Sequence, residues 1–237
     1  MLANARRSVA FLLCAFVLVP LAALGVEVGS IFPSDRFTVF DHSQITHRRV
    51  NLPTPADCVS TPAKALQCQD ISVLNTLDGF NIQPRISIAF SGPIDVSSVN
   101  SDSVFLVSLG SAQGIRSFGD RVGLNQVVWD PATNTLHVES DELLEQHTRY
   151  AVLVTDRVRD AAGNAVQATS GITKDDDKLE SAAQRHGVRI VGASVFTTQS
   201  VTAALEKIQG QINSGCRSPQ ALTSARAASA PCFRSPA

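Results

Sequence analysis

Two aspartates four residues apart, Asp156 and Asp160 in TDRVRDAAGN, are the first residues of this chain that could do chemistry. Paired carboxylates can divide general acid and base work when a cleft pushes their pKa values apart. The neighbouring sequence offers no such cleft. Gly163 and Asn164 follow Asp160. That is turn chemistry, in which Asp bonds its own backbone while Gly and Asn tolerate positive φ. The segment reads as the corner of a β-domain.

Other reactive types fare no better. A nucleophile elbow requires G-x-S-x-G between a strand and a helix. GASVF, Gly192 to Phe196, ends in Phe and lies in a β-rich run, so Ser194 reads as a strand position. HVE at 137–139 has the H-x-E of zinc deaminases but lacks their P-C-x-x-C. His137 alternates with Leu136 and Val138 and reads as a surface position. His42 and His47 suit neither a helix face nor a strand face and read as solvated. Asp175, Asp176 and Asp177 are adjacent, so their carboxylates diverge instead of wrapping a calcium ion. They read as negative charge at the N-terminus of the helix that follows. No Gly-rich phosphate loop is present. No catalytic residue, cofactor or metal is expected.

Composition narrows the partners. The 237 residues are 44% hydrophobic and 17% charged with net charge −1, so a core is available and a basic field for nucleic acid is not. One Trp and one Tyr give no stacking platform for bases. Residues 1–25 carry Arg6 and Arg7, an apolar run from Val9 to Val19, Pro20, and small residues before Val26. This is the pattern of a secretory signal peptide cut ahead of Val26, with an uncleaved anchor as the alternative because apolar character continues past Pro20; it places the chain outside the cytoplasm, in the periplasm, envelope or medium. No span of the membrane is expected after cleavage. In an oxidising compartment Cys58 and Cys68, bracketing VSTPAKALQ, are expected to form a local disulfide, since close-spaced metal ligands are missing.

Residues 26–70 contain Pro33, Pro53 and Pro55 and little periodicity, which predicts an extended, partly ordered leader lying along another part of the molecule. From residue 71 the pattern sharpens. ISVLNTLDGF reads as a short strand and an Asp78-Gly79 turn. RISIAF places Ile86, Ile88 and Phe90 on one face. VFLVSLG, NQVVWD, TLHVES, YAVLV and VRIVGASVFTT supply further strands, separated by Gly, Pro, Asn and Asp. About seven short strands at this spacing predict an all-β, immunoglobulin-like antiparallel sandwich over 71–199. Helical period appears at KLESAAQRHG, before the last strand, and at 200–212, where Val201, Leu205 and Ile208 share a face. Residues 213–237, built from Ala, Ser, Arg and Pro without period, are expected to be disordered; Cys216 and Cys232 fall there.

The stretch PRISIAFSGPID, the strand leading to RDAAGN, and the terminal FTT together resemble the bacterial Ig-like domain of the SbsA type. The matching positions are Pro84, Phe90, Ser91, Pro93, Asp95, Tyr150, Asp160, Gly163, Asn164, Phe196, Thr197 and Thr198. The resemblance implies structural roles for them, with the Tyr and Phe in the core and D-x-x-G-N in a turn. Residues 33–212 are similar to the N-terminal region of secreted bacterial lipases and esterases of the virulence-factor type, which share VLNTLDGF, FSGPID and V-T-A-x-L-E-K-I. That resemblance implies a catalytic domain after Ile212, and none is recognised in the residues that follow. None of that family's catalytic residues can therefore be carried over. The expected function is a non-catalytic accessory module whose partner is a hydrolase domain or an envelope component. A free-standing adhesion module and a small hydrolase with an unrecognised site are the alternatives.

Overall fold

The computed structural model describes residues 25–111, 118–168 and 177–216. Two antiparallel-rich sheets face each other across one core. The first runs in the order β12-β1-β4-β9-β8. Its members are β1 (Glu27–Phe32), β4 (Ile86–Phe90), β8 (Leu124–Asp130), β9 (Thr135–Ser140) and β12 (Gln167–Ala168). The second runs β13-β10-β6-β7, with β6 (Val104–Ser111), β7 (Arg121–Val122), β10 (Thr148–Thr155) and β13 (Ile190–Thr197). Short pairs β2 (Thr38–Phe40) with β3 (Arg48–Val50), and β5 (Ile94–Asp95) with β11 (Arg159–Asp160), sit outside these sheets. The fold is an immunoglobulin-like β-sandwich.

Alternation decides which side chains go inside. Ile86, Ile88 and Phe90 of β4 and Leu136 and Val138 of β9 point into the core. They meet Leu106 of β6, Tyr150, Val152 and Val154 of β10, and Phe196 of β13. The opposite face of the second sheet is also covered. Helix α2 (Asp177–His186) lays Leu179 and Ala182 over Phe105, Val107, Ala151 and Leu153. That explains why β10 is apolar at consecutive positions: a strand buried on both faces has no polar side to show. The insert ahead of the last strand is therefore a lid on the sheet. The DDD cluster at 175–177 falls where side chains lie outside the described residues, as do residues 1–24 and 217–237.

Three sequence readings need correction. The leader over 26–70 is not merely extended. β1 pairs antiparallel with β4, Val28 opposite Phe90 and Ile31 opposite Ile88, and so is an inner strand of the first sheet. Ile71–Leu74, read as strand, form the last turn of helix α1 (Pro62–Leu74). Thr61 caps that helix by accepting from Lys64 N, and Pro62 opens it, as the missing N–H of Pro permits. The third helix, α3 (Ala203–Cys216), continues past Ile212 and takes in the first residues assigned to the disordered tail. The disulfide Cys58–Cys68 ties the entry to α1, with Cα atoms 5.7 Å apart. Closing so short a loop stabilises by about 2–3 kcal/mol on the chain-entropy account.

Candidate functional site

The residues singled out by sequence are spread over the sandwich rather than gathered at one place. Asp160 lies in β11, where its carboxylate accepts from Ala162 N at 2.9 Å and Asn164 N at 2.8 Å. Gly163, at φ +86°, donates its N–H to the Asp160 carbonyl at 2.9 Å. The Asn164 amide N–H, then the Asn164 side chain and the neighbouring turn amides, hold the Asp160 carboxyl below its usual range. Asp156, by contrast, begins the turn after β10, its N–H bonded to the Arg189 carbonyl at 3.1 Å. The turn thus engages both Asp160 carboxylate oxygens, with Asn164 Nδ2 at 3.2 Å from the second.

A depressed folded-state pKa makes a contribution present above the unfolded value and lost as pH falls through the lower folded one. Unfolding free energy of the wild type is therefore expected to drop as pH falls from about 3.8. In Asp160→Asn, which keeps an acceptor oxygen but no titrating group, that slope is expected to be shallower. Urea melts of both proteins through the acid range measure it, and parallel slopes would refute the assignment. Asp35, described below, has the opposite sign and is left intact in both.

Ser194 is buried in β13 and donates its hydroxyl to the Pro33 carbonyl at 2.7 Å. It bonds the first segment of the chain to the second sheet. The remaining motif residues do similar work. Ser91 Oγ accepts from Glu27 N at 2.8 Å, and the Pro93 carbonyl accepts from Ala161 N. Asp95 caps a single 3-10 turn through Ser97 N at 3.0 Å. Phe90 lies against Trp129, and Tyr150 stacks on Phe196 with centroids 6.1 Å apart. The Tyr150 hydroxyl accepts from Glu145 N at 3.1 Å. A tyrosine bonded back to the chain a few residues upstream is the corner device of immunoglobulin-like sandwiches. Thr198 donates its hydroxyl to the Glu145 carbonyl at 2.6 Å.

Two polar knots at one end of the sandwich were not legible in sequence. Asp35 accepts from Thr197 N at 2.9 Å and Thr197 Oγ1 at 3.0 Å, with Arg48 Nε at 3.5 Å and Arg149 Nε at 3.8 Å. Burial raises its carboxyl above the ordinary value, and Arg48 and Thr197 oppose that rise. The second knot centres on Asp78, which accepts from Ser200 N at 2.8 Å and from the Ser200 hydroxyl. Gln146 Oε1 adds Val201 N at 3.0 Å and Thr202 N at 3.2 Å. The root of α3 is thus bonded to two separate parts of the domain. Beside it runs an apolar groove of about 290 Å³, lined by Phe32, Val50, Leu74, Leu77, Phe80 and Pro84 among others.

The outer face of the first sheet carries one further pair. Ser87 of β4 and His137 of β9 are cross-strand partners, with Ser87 Oγ 2.9 Å from His137 Nδ1. Arg85 and Glu139 pair beside them at 3.5 Å. A shallow cavity of about 280 Å³ lies over His137, Val128 and Gln126. His42 and His47 cluster elsewhere, around Phe40 at the β2–β3 hairpin, with the His42–His47 centroids 6.3 Å apart. Among the described residues no group of three or more His, Cys, Asp or Glu is placed to hold a metal ion. No helix of the described residues is long and apolar enough to cross a membrane.

Comparison with known proteins gives the following. No curated protein matches the chain. A solved S-layer protein, rSbsC(31-844), is similar at 12% identity and a TM-score of 0.32, over 57% of this chain and 16% of that one. Domains 1-6 of the surface layer protein SbsC match at 11% identity and a TM-score of 0.31, over 59% of this chain and 17% of theirs. The chain therefore aligns with only a small part of either S-layer chain, and at these scores neither likeness bears on function. The family model for the bacterial Ig-like domain matches residues 63–173, the stretch from the first turn of α1 through β12, and the β-sandwich seen here fits an Ig-like fold.

Proposed function

We propose that this chain is a non-catalytic Ig-like module of an exported bacterial protein, the accessory region of a secreted lipase or esterase. Its work is positional: strand edges and end loops space or dock a hydrolase domain or an envelope component. The observation that carries this reading is the use made of the reactive side chains. Ser194, Asp35, Asp78 and Asp160 each bond backbone amides or carbonyls of distant or turn segments. Groups engaged in that way hold distant or turning segments of a scaffold together. Export is supported by the signal-like residues 1–25 and the disulfide.

The Ser87–His137 pair favours one rival, a small hydrolase on the outer sheet face. A hydroxyl beside an imidazole is the beginning of a nucleophile. Turnover of p-nitrophenyl butyrate separates the two. The expected rate equals the buffer blank in wild type and in Ser87→Ala. Turnover that follows the protein through purification and disappears in Ser87→Ala would replace the positional reading with the catalytic one. Export has its own readout: mass spectrometry of the secreted product is expected to find a chain beginning at Val26.

A further inference from the structure

We propose that the apolar groove beside the root of α3 binds a single-chain amphipathic carboxylate, with the alkyl chain in the groove and the carboxylate on Arg85. Such a site goes beyond the positional reading of the module and does not depend on it. Segments far apart in sequence build the groove. Phe32 comes from the end of β1, Val50 from β3, Leu74 from the end of α1, and Phe80 and Pro84 from the stretch before β4. Val50 and Phe80 are buried and so line its floor, while Phe32 and Leu74 stand in its walls at 37% and 42% exposure. Large apolar side chains left part in water around a concave surface are the ordinary lining of a ligand site, and covering them favours an apolar occupant.

Volume and charge select the occupant. A dry apolar cavity of about 150 Å³ takes one benzene ring, so the groove's volume of about 290 Å³ suits a chain of about ten carbons. A phospholipid, with two longer chains, exceeds that volume. Among the described residues lining the groove, Arg85 alone is charged, and none is Asp or Glu. The Arg85 side chain is 72% exposed, which places its guanidinium at the rim, where a charged end of the occupant stays in water. It meets Glu139 at 3.5 Å, but so solvated a pair holds its partners weakly. Glu139 lines the neighbouring shallow cavity over His137 and not the groove, so it does not stand among the side chains that would meet the alkyl chain. An unbranched alkyl carboxylate meets both demands: it is apolar along its length and anionic where it leaves the groove.

Occupancy would also reach α3. Gly79 and Gln199 belong to the groove's lining. They lie at the joint where Gln199 donates to the Phe80 carbonyl at 2.8 Å, shortly before α3 begins at Ala203. A chain seated in the groove braces that joint, and a ligand bound only by the folded form raises the melting temperature as its concentration rises.

Titration of the protein purified from the full-length gene with sodium octanoate, followed by ligand-observed NMR, tests this. Saturable binding is expected, with a dissociation constant of about 1 mM or below. Affinity is expected to rise from hexanoate to decanoate and to rise no further at tetradecanoate. Arg85→Gln is expected to weaken octanoate about three- to fivefold and to leave octan-1-ol unchanged. Leu74→Glu puts a carboxylate in the wall and is expected to weaken both ligands at least about tenfold. Because Leu74 is part exposed, that variant is expected to melt with wild type, so lost binding is not a lost fold. No saturable binding of octanoate, affinity that keeps climbing with chain length, equal affinity for octyltrimethylammonium, or binding indifferent to Leu74→Glu would overturn the site. So would a wild type that ignores octanoate yet binds vesicles of anionic phospholipid in a manner lost in Leu74→Glu, which would assign the groove to a membrane surface.

Discussion

Replacing Gly79 with alanine is expected to cost about 3 kcal/mol of stability, the upper end of what an overpacked interior exacts. A methyl group at that position would lie 2.7 Å from the Thr198 carbonyl carbon and 2.8 Å from both Gln199 N and Thr197 O. All three are backbone atoms, so no side chain can swing aside. The two segments must separate, and they are stitched where they touch. Phe80 donates to the Thr197 carbonyl at 2.8 Å, and Gln199 donates to the Phe80 carbonyl at 2.8 Å. Prising them apart also strains the Asp78–Ser200 knot and hence the root of α3. Urea denaturation followed by tryptophan emission measures the loss, with Trp129 against Phe90 in the core as the reporter. Gly163→Ala makes a useful comparison. Nothing lies within 4 Å of its added methyl, so only the positive φ is penalised, at about 1–2 kcal/mol. A Gly79→Ala loss no larger than that of Gly163→Ala would mean that the close approach does not govern this joint.

Local periodicity made most of the sandwich readable. Ile86, Ile88 and Phe90 alternate, and the structure buries all three. The run in YAVLV carried more information than alternation alone, because Ala151 and Leu153 are apolar for a second reason, the covering helix α2. Helix α1 is hidden by propensity: the β-branched Ile71 and Val73 favour strands, and the deciding signal is the Thr61-Pro62 cap and start upstream. The knots were out of reach for a different reason. Asp35 and Thr197 are 162 residues apart, and nothing in either neighbourhood specifies the other. The Ser87–His137 pair depends on strand register across 50 residues, and a slip of one would have put His137 in the core. Sequence reading thus recovered which faces are buried. It missed which distant polar groups close the end of the sandwich, because those pairings follow from topology and not from local pattern.

That end of the molecule is where the largest packing effect is expected. Phe196→Ala should destabilise by about 3–5 kcal/mol, the range for emptying a buried aromatic position. Phe196 is fully buried, stacked on Tyr150 and edge-on to Phe80 at 6.3 Å. Phe80 in turn meets Phe32 edge-on at 5.5 Å. The four rings link β10, β13, β1 and the Gly79 joint, so a cavity at Phe196 opens at the meeting point of both sheets. Tyr150 and Phe80 are held in place from behind, Tyr150 by Glu145 N and Phe80 by its own backbone bonds to 197 and 199, so neither can collapse into the space. Incomplete collapse places the cost in the upper part of the range. For a chain of this length the melting temperature is expected to fall by about 10 °C. Tyr150→Phe keeps the ring and deletes only the hydroxyl, leaving Glu145 N short of that acceptor, for about 1–3 kcal/mol. If the ring stack carries the energy, Phe196→Ala exceeds Tyr150→Phe clearly, and the double variant Phe196→Ala, Phe80→Ala loses less than the sum of its parts because the two share one cavity. Equal losses in the two single variants would shift the weight to the corner hydrogen bond and away from the rings.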